Sequence, residues 1–419
     1  GAGLIKEKIF ETIVAKETDK SAAILSKVMS KADEATVASV INNITEKNTN
    51  EDSKLSLKVM ADFSEKNPEK LETLAQNNAD QIEKLTISAV EEAESSKEDA
   101  DLIAKVVAVA SDDLVNKVVE EVSKSSTDEK QTLSAQVLKA IVDIDSDKIE
   151  IINDDVKDTM IKQTIESAQN QQEGTGIQAS EDITSIVSDI IVNTDTETGS
   201  KMIEELNNTE SESELSLQVI SDISEKDTTK LNTLSENNKE QIEKLTETAI
   251  KNADASEENA DLIAKIVANA SDKLINKVIE EVNKNSTNEK EALSAKVMRS
   301  IVSTNPDKIK KLSKENKDKI IQQSIDAAKN QNDNKDDESE DLSDIIADII
   351  VTADPETSGK LIQKLDKTEL DEDSDLNLSI LDKLSKKDLF EEKLEIISIR
   401  SKLNEDSIKN FIRKSIEDA

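Results

Sequence analysis

Apolar residues recur every three to four positions along most of this chain, in short runs parted by polar turns. Leu114, Val115, Val118, Val119 and Val122 fall on one helical face, and Leu102, Ile103, Val106, Val107 and Ala110 on another. A period near 3.6 predicts amphipathic helices, each with one buried stripe. From Ser53 onward the pattern predicts five helices, A to E. Helix A runs about Leu55–Ser64. Helix B is short and opens at Pro68, a residue suited to the first helical position. Helix C runs about Asp80–Ala93, with Ile82, Leu85, Ile87 and Val90 apolar. Helix D runs about Asp99–Ala110. Helix E follows the Ser111-Asp112 turn, whose short polar side chains can cap it.

The pattern then repeats. Ser53-Lys-Leu-Ser-Leu-Lys-Val returns as Ser213-Glu-Leu-Ser-Leu-Gln-Val, Asp101-Leu-Ile-Ala-Lys-Val-Val-Ala as Asp261-Leu-Ile-Ala-Lys-Ile-Val-Ala, and Gln81-Ile-Glu-Lys-Leu-Thr as Gln241-Ile-Glu-Lys-Leu-Thr. The shift is 160 each time (213 − 53, 261 − 101, 241 − 81). A weaker match at half that period aligns Leu55-Ser-Leu-Lys-Val-Met with Leu133-Ser-Ala-Gln-Val-Leu, and a third start appears at Asp375-Leu-Asn-Leu-Ser-Ile-Leu. The expected organisation is therefore a unit of ~80 residues in two alternating types, joined into a 160-residue super-repeat. Full units are expected at 53–131, 132–212, 213–291 and 292–371. Partial ones are expected at 1–52 (helices C, D, E, with Ile24 matching Leu102 and Val28 matching Val106) and at 372–419 (helices A, B, C). Such units bury their stripes against neighbours, which predicts an all-α, elongated α-solenoid.

A–B–C is similar to a three-helix armadillo-type repeat and D–E to a two-helix hairpin. In hairpin rhythm and unit length the whole chain resembles the HEAT and armadillo class of helical repeats. The alternation of triplet and pair departs from both families, and no binding residue is carried over. The ends are out of register with the unit, and the chain opens Gly-Ala-Gly rather than on Met. The start suggests processing or a cut boundary, and the ends suggest a segment of a longer array or a protomer that associates end to end, with a complete protein with weak caps as the alternative.

Composition narrows the function. Aromatic content is 1%, with four Phe and no Trp or Tyr, so the core must be Ile, Leu, Val and Ala. Only three Pro and six Gly are present, few for a turn-rich sheet protein. The net charge is −37, and arginine occurs only as Arg299, Arg400 and Arg413. A chain of that sign repels phosphate backbones and anionic lipid, so no nucleic-acid partner is expected. No run reaches the ~18 apolar residues that a membrane span needs. The absence of His, Cys and Tyr removes the commonest general base, the thiol nucleophile and most transition-metal ligands.

What remains is Asp, Glu, Lys, Ser and Thr. A carboxylate-pair glycosidase would need sugar-stacking aromatics that the chain lacks, and its carboxylates sit on regular solvent-facing positions. The glycine cluster Gly174-Thr-Gly176 follows a helix, not a strand, so it reads as a turn. Two acidic ladders, Asp143-Ile-Asp145-Ser-Asp147 and Asp371-Glu-Asp373-Ser-Asp375, resemble a hard-cation motif but lack its glycine and its terminal glutamate. The counterpart of the first, Ser303-Thr-Asn305-Pro-Asp307, has lost two carboxylates. Both ladders read as helix caps, with loose divalent screening at most. The loop Asp333-Asn-Lys-Asp336-Asp337-Glu338-Ser-Glu340-Asp341 is the most acidic and reads as a solvated linker between helices, with a dock for a basic partner as the alternative.

The expectation is a non-enzymatic structural or scaffold segment with no catalytic, cofactor or metal site, its partner a protein or a second copy. The alternative is a solenoid that recognises a basic peptide through an acidic groove. A Lys-, Asn- and Ile-rich composition suggests an AT-rich bacterial genome, and the cell surface or exterior is favoured over the cytoplasm.

Overall fold

The computed structural model describes residues 9–10, 12–13, 18–47, 54–176, 182–208, 214–284, 287–333, 341–367, 376–387, 409–410 and 412–413. Among the described residues there are 22 α-helices, one 3₁₀ turn and no strand. The contacts divide into two units, Gly1–Leu215 and Ser216–Ala419.

In the first unit the helices are α1 (Thr18–Lys31), α2 (Glu34–Lys47), α3 (Leu55–Lys66), α4 (Pro68–Asn77), α5 (Ala79–Glu92), α6 (Lys97–Val109), α7 (Asp112–Ser123), α8 (Asp128–Asp145), α9 (Asp154–Gln172), α10 (Ile183–Asn193) and α11 (Thr196–Asn208). The five helices expected from Ser53 onward are α3 to α7, with ends within two residues of the expected ones where the pattern set them. Pro68 occupies the first turn of α4 as expected. Helix α12 (Leu215–Lys226) begins the second unit, followed by α13 (Thr228–Asn237), α14 (Lys239–Asn252), α15 (Glu257–Asn269), α16 (Asp272–Val282), α17 (Asn288–Thr304), α18 (Asp307–Lys311), α19 (Lys314–Asp333), α20 (Leu342–Thr352), α21 (Pro355–Lys367) and α22 (Leu376–Ser385).

The helices stack in two layers. In the first unit one layer runs α1, α3, α6, α8, α10 and the other α2, α5, α7, α9, α11, each helix packed on the next. The second unit repeats this with α15, α17, α20, α22 and α14, α16, α19, α21. A and D helices therefore share one layer, and C and E the other. The five-helix unit resolves physically into two hairpins, A–C and D–E, with B as the connector inside the first. Burial follows the stripes: Leu114, Val115, Val118, Val119 and Val122 of α7 are at most 2% exposed.

The two unit types differ in how they allot the chain. In the odd type, starting at 53 and 213, helix A has 12 residues, B 10 and C 14. In the even type, starting at 132 and 292, A lengthens to 18 or 17 residues and C to 19 or 20. B shrinks there to the 3₁₀ turn Ser146–Ile149 or the five residues of α18. The uniform helix B expected for every unit is thus corrected. Asp145 and Pro306 start the shortened turns, where neither a long helix nor a full B can continue.

Several positions depart from the sequence pattern. Ile87 and Leu102 are only half-buried, while Thr86, Ala89 and Ala104 are buried in their helices. Val28 is 37% exposed although its counterpart Val106 is buried. The reason is neighbourhood: α6 packs on both α3 and α8, whereas α1 packs on α3 and has no described first-layer helix on its other side. Ser111 makes no side-chain cap to α7, but its counterpart Ser271 accepts from Leu274 N.

Candidate functional site

The residues that bind one hairpin to the next are mostly lysines. The last carbonyls of an α-helix have no partner within it and carry partial negative charge, so a cation there is favourable. In α4, Lys70 Nζ donates to Ser30 O at 2.9 Å and Ala32 O at 2.7 Å, closing the end of α1. In the next B element Lys148 reaches Ala110 O at 3.1 Å, and in α18 Lys308 reaches Ala270 O at 3.2 Å. A second set closes the C helices. Lys130 of α8 donates to Val90 O (3.0 Å) and Ala93 O (2.9 Å), and Lys290 of α17 to Ile250 O (3.0 Å) and Ala253 O. These bonds span 37 to 40 positions, one hairpin. Burial holds the Lys130 and Lys290 amines below the usual lysine value.

Ion pairs join neighbouring helices over the outer surfaces. Lys58 pairs with Asp19, Lys105 with Glu65, Lys265 with Glu225 and Lys296 with Glu257 in the A–D layer, and Lys84 with Glu46 and Lys284 with Glu247 in the other. Exposed pairs of this kind contribute at most ~1 kcal/mol each. The exception is Asp99, 2% exposed, which accepts from Lys54 Nζ at 2.7 Å and from Glu94 N at 2.8 Å. Burial pushes the Lys54 amine down, but its hydrogen bonds to Asp99 and Glu94 outweigh that and hold it above the usual value. The 160-residue counterparts of Lys54 and Asp99 are Glu214 and Asn259. Both members of the pair have changed together.

The sequence candidates fall as follows. Asp143 is paired with Lys139 at 2.6 Å, and Asp145 accepts from Asp147 N at 3.2 Å, so the first ladder is a pair and a cap. Among the described residues no group of three acidic side chains is placed to hold a metal ion. The second ladder, Asp371–Asp375, lies outside the described residues, as does most of the acidic loop. Asp341 at the end of that loop caps α20 through Ser343 N and pairs with Lys383. Gly174 has φ +67° and ends α9, with Thr175 N and Gly176 N both donating to Asn170 O. It serves a helix stop, as expected. No described helix is long and apolar enough to cross a membrane.

Two grooves open between helices of the first unit. One of about 930 Å³ lies between α4, α5 and α7, floored by Ala79, Ile82 and Leu114. Its rim carries Glu72, Asp112, Asp113 and Glu120 against one cation, Lys117. At the 160-residue counterparts stand Glu236, Asp272 and Glu280 against Lys239, Lys273 and Lys277. There Asn232, the counterpart of Glu72, accepts Ser271 N at 3.0 Å across the equivalent gap. The second groove, about 210 Å³, lies over Ala22, Ala61 and Leu102, and its lysines, Lys58 and Lys105, are paired with Asp19 and Glu65. Neither the lysine-to-carbonyl bonds nor the charge difference between the duplicated grooves is expected from apolar periodicity. The recurrence of lysine at 70, 148, 230 and 308 was the available signal.

No protein-family model matches the chain. No curated protein matches it either. Among solved structures it is similar to one described as a circular tandem repeat protein with novel repeat topology and enhanced subunit contact surfaces. That match is at 15% identity over 98% of each chain, with a TM-score of 0.25. At that score the likeness adds nothing to the helical-repeat architecture described above.

Proposed function

We propose that the chain is a non-enzymatic structural segment of a larger bacterial protein, a spacer or surface rod related in construction to HEAT and armadillo arrays. The observation that carries this reading is where its reactive side chains go. Lysines close helix ends of earlier hairpins, and the same bonds recur 160 positions on, as at Lys130 and Lys290. The high acidity keeps such a segment soluble and opposes lateral clumping. Small-angle scattering over a concentration series, with and without millimolar calcium, tests it. Mass per particle that grows at constant cross-section supports end-to-end association. A fixed mass at every concentration removes self-association from the reading.

A second reading rests on the larger groove, whose rim has four acids against one lysine while its duplicate has three against three. A repeated scaffold has no need of that difference, whereas a site for a basic peptide does. Titration of a lysine-rich peptide into the protein and into a Glu72→Gln, Asp113→Lys variant tests it. Binding that the variant loses supports the groove, and equal binding by both removes it.

A further inference from the structure

Two kinds of joint follow one another between hairpins. Where an odd D–E hairpin meets an even A–C hairpin, the contact is keyed by two amides, one half-buried and one buried. Asn116 of α7 donates through Nδ2 to Ile151 O at 3.0 Å and accepts Asn153 N through Oδ1 at 2.7 Å. Gln163 of α9, 4% exposed, accepts Ser134 Oγ at 2.6 Å and donates to Ser123 O at 2.9 Å and Ser125 O at 3.1 Å. The second unit repeats both. Asn276 donates to Lys311 O at 3.1 Å and accepts Ser313 N at 2.6 Å, and Gln323 accepts Ser294 Oγ and donates to Asn283 O at 3.2 Å.

The other kind of joint is seen where α2 meets α5. Ala38 stands where α7 has Asn116, and Leu85 where α9 has Gln163, each 78 positions earlier. Leu85 is fully buried, and Leu245 repeats it. The end of an odd E helix thus offers carbonyls and an amide that need polar partners. The even C helix and the turn before it supply them, and the odd C helix offers leucine.

We propose that Asn116 with Gln163, and Asn276 with Gln323, are specificity keys. The free face of an odd-type hairpin accepts an even-type hairpin and rejects another odd-type one. An odd-on-odd joint buries the Ser123 and Ser125 carbonyls against leucine, and a buried polar group without a partner is costly. Rejection of the wrong neighbour by such orphaned groups is a general route to specificity. The assembling module is therefore the pair of units, and its partner surface is an even-type hairpin, within the chain or on a second copy.

The test uses the full chain with an insertion. One form repeats residues 53–131 directly after 131, which creates an odd-on-odd joint. The other repeats 53–212 after 212, which keeps the alternation. Hydrogen exchange at the last turn of each E helix, residues 119–126 and their copies, is the readout. The first form is expected to exchange at least tenfold faster at the new joint, and the second to match the parent. Leu85→Gln in the second inserted copy should slow that exchange, since Ser56 stands where Ser134 bonds Gln163. The same substitution at the native α2–α5 joint should speed exchange there. Opposite signs distinguish a key from a merely structural residue. If the first form does not fold, Gln163→Leu in the parent chain decides, with a tenfold rise at 119–126 expected. An odd-on-odd joint as protected as the parent, equal signs for the two Leu85→Gln changes, or no change in Gln163→Leu overturns the proposal.

Discussion

Lys130→Met isolates one lysine closure. Methionine keeps the apolar stem and removes the ammonium, so the loss is of the two bonds to Val90 O and Ala93 O. Hydrogen bonds from a charged group contribute ~1.5–3 kcal/mol each when well buried. Lys130 is only half-buried, and burial of its charge opposes the gain, as the lowered pKa records. A net loss of about 1.5–3 kcal/mol for the pair is expected, including ~0.3–1 kcal/mol from the helix dipole. In a body of this size that lowers the melting temperature by roughly 3–10 °C. Hydrogen exchange should rise at residues 90–96 and stay unchanged beyond the neighbouring hairpins. Lys124→Met, at an i,i+3 surface pair with Glu121, should melt with the parent. The closure also has a pH signature. The folded chain holds the Lys130 proton less tightly than the unfolded chain, whose value is 10.5. Between the lowered folded value and 10.5 the unfolded state binds more protons, so stability rises with pH across that window. Lys130→Met should lose part of that rise. A variant that melts with the parent, or exchange that rises evenly through residues 1–215, refutes the reasoning.

Other substitutions probe the stripe, the coupled pair and the buried acid. Val119→Asp puts a charge at a fully buried site of α7 and should cost several kcal/mol, with proteolysis confined near that hairpin. A single cooperative loss of the whole chain at lower temperature would contradict nearest-neighbour stacking. Lys54→Glu sets a third carboxylate beside Asp99 and Glu94 and should destabilise. Adding Asp99→Asn, the residue at the 160-residue counterpart, should recover at least ~1 kcal/mol in a double-mutant cycle, and additivity would rule out the coupling. Burial raises the Glu92 carboxyl above 4.5 while it accepts Leu57 N at 3.1 Å. The folded state then holds that proton more tightly than the unfolded state, so ionisation at neutral pH is a cost relieved as pH falls through the raised value toward 4.5. Glu92→Gln keeps the acceptor and should be more stable than the parent at neutral pH, an advantage that shrinks in acid melts. An advantage that grows in acid would show the reverse shift.

The helices were legible because burial in a two-layer stack requires only one apolar stripe per helix. Val115, Val119 and Val122 announce it without ambiguity. The duplication was legible because the copies at 53 and 213 have diverged little. The division of each unit into two hairpins was not, since A and D share a layer through packing that no local pattern encodes. The shrinking of helix B in even units was likewise hidden: α8 and α9 simply extend into it, and helix periodicity reads equally well through Ser146–Ile149. The joints were missed for a different reason. Lysine and glutamine count as solvent-facing in any stripe, yet Gln163 and the Lys130 amine bond backbone carbonyls some 37 to 40 positions away. Only their recurrence, not their chemistry, marks them in the sequence.

The alternation of amide-keyed and leucine joints has a mechanical consequence. The joint at Leu85 is held by Lys70 and by the Lys84–Glu46 pair, whereas Asn116 and Gln163 make four hydrogen bonds between the odd hairpin and the even one. Under tension on the first unit, rupture is expected to begin at the α2–α5 joint and to leave the amide-bonded hairpins together until last. The pair of units, 160 residues long, is then the quantum of extension. Unfolding of one such pair adds roughly 530–580 Å of contour at ~3.3–3.6 Å per residue.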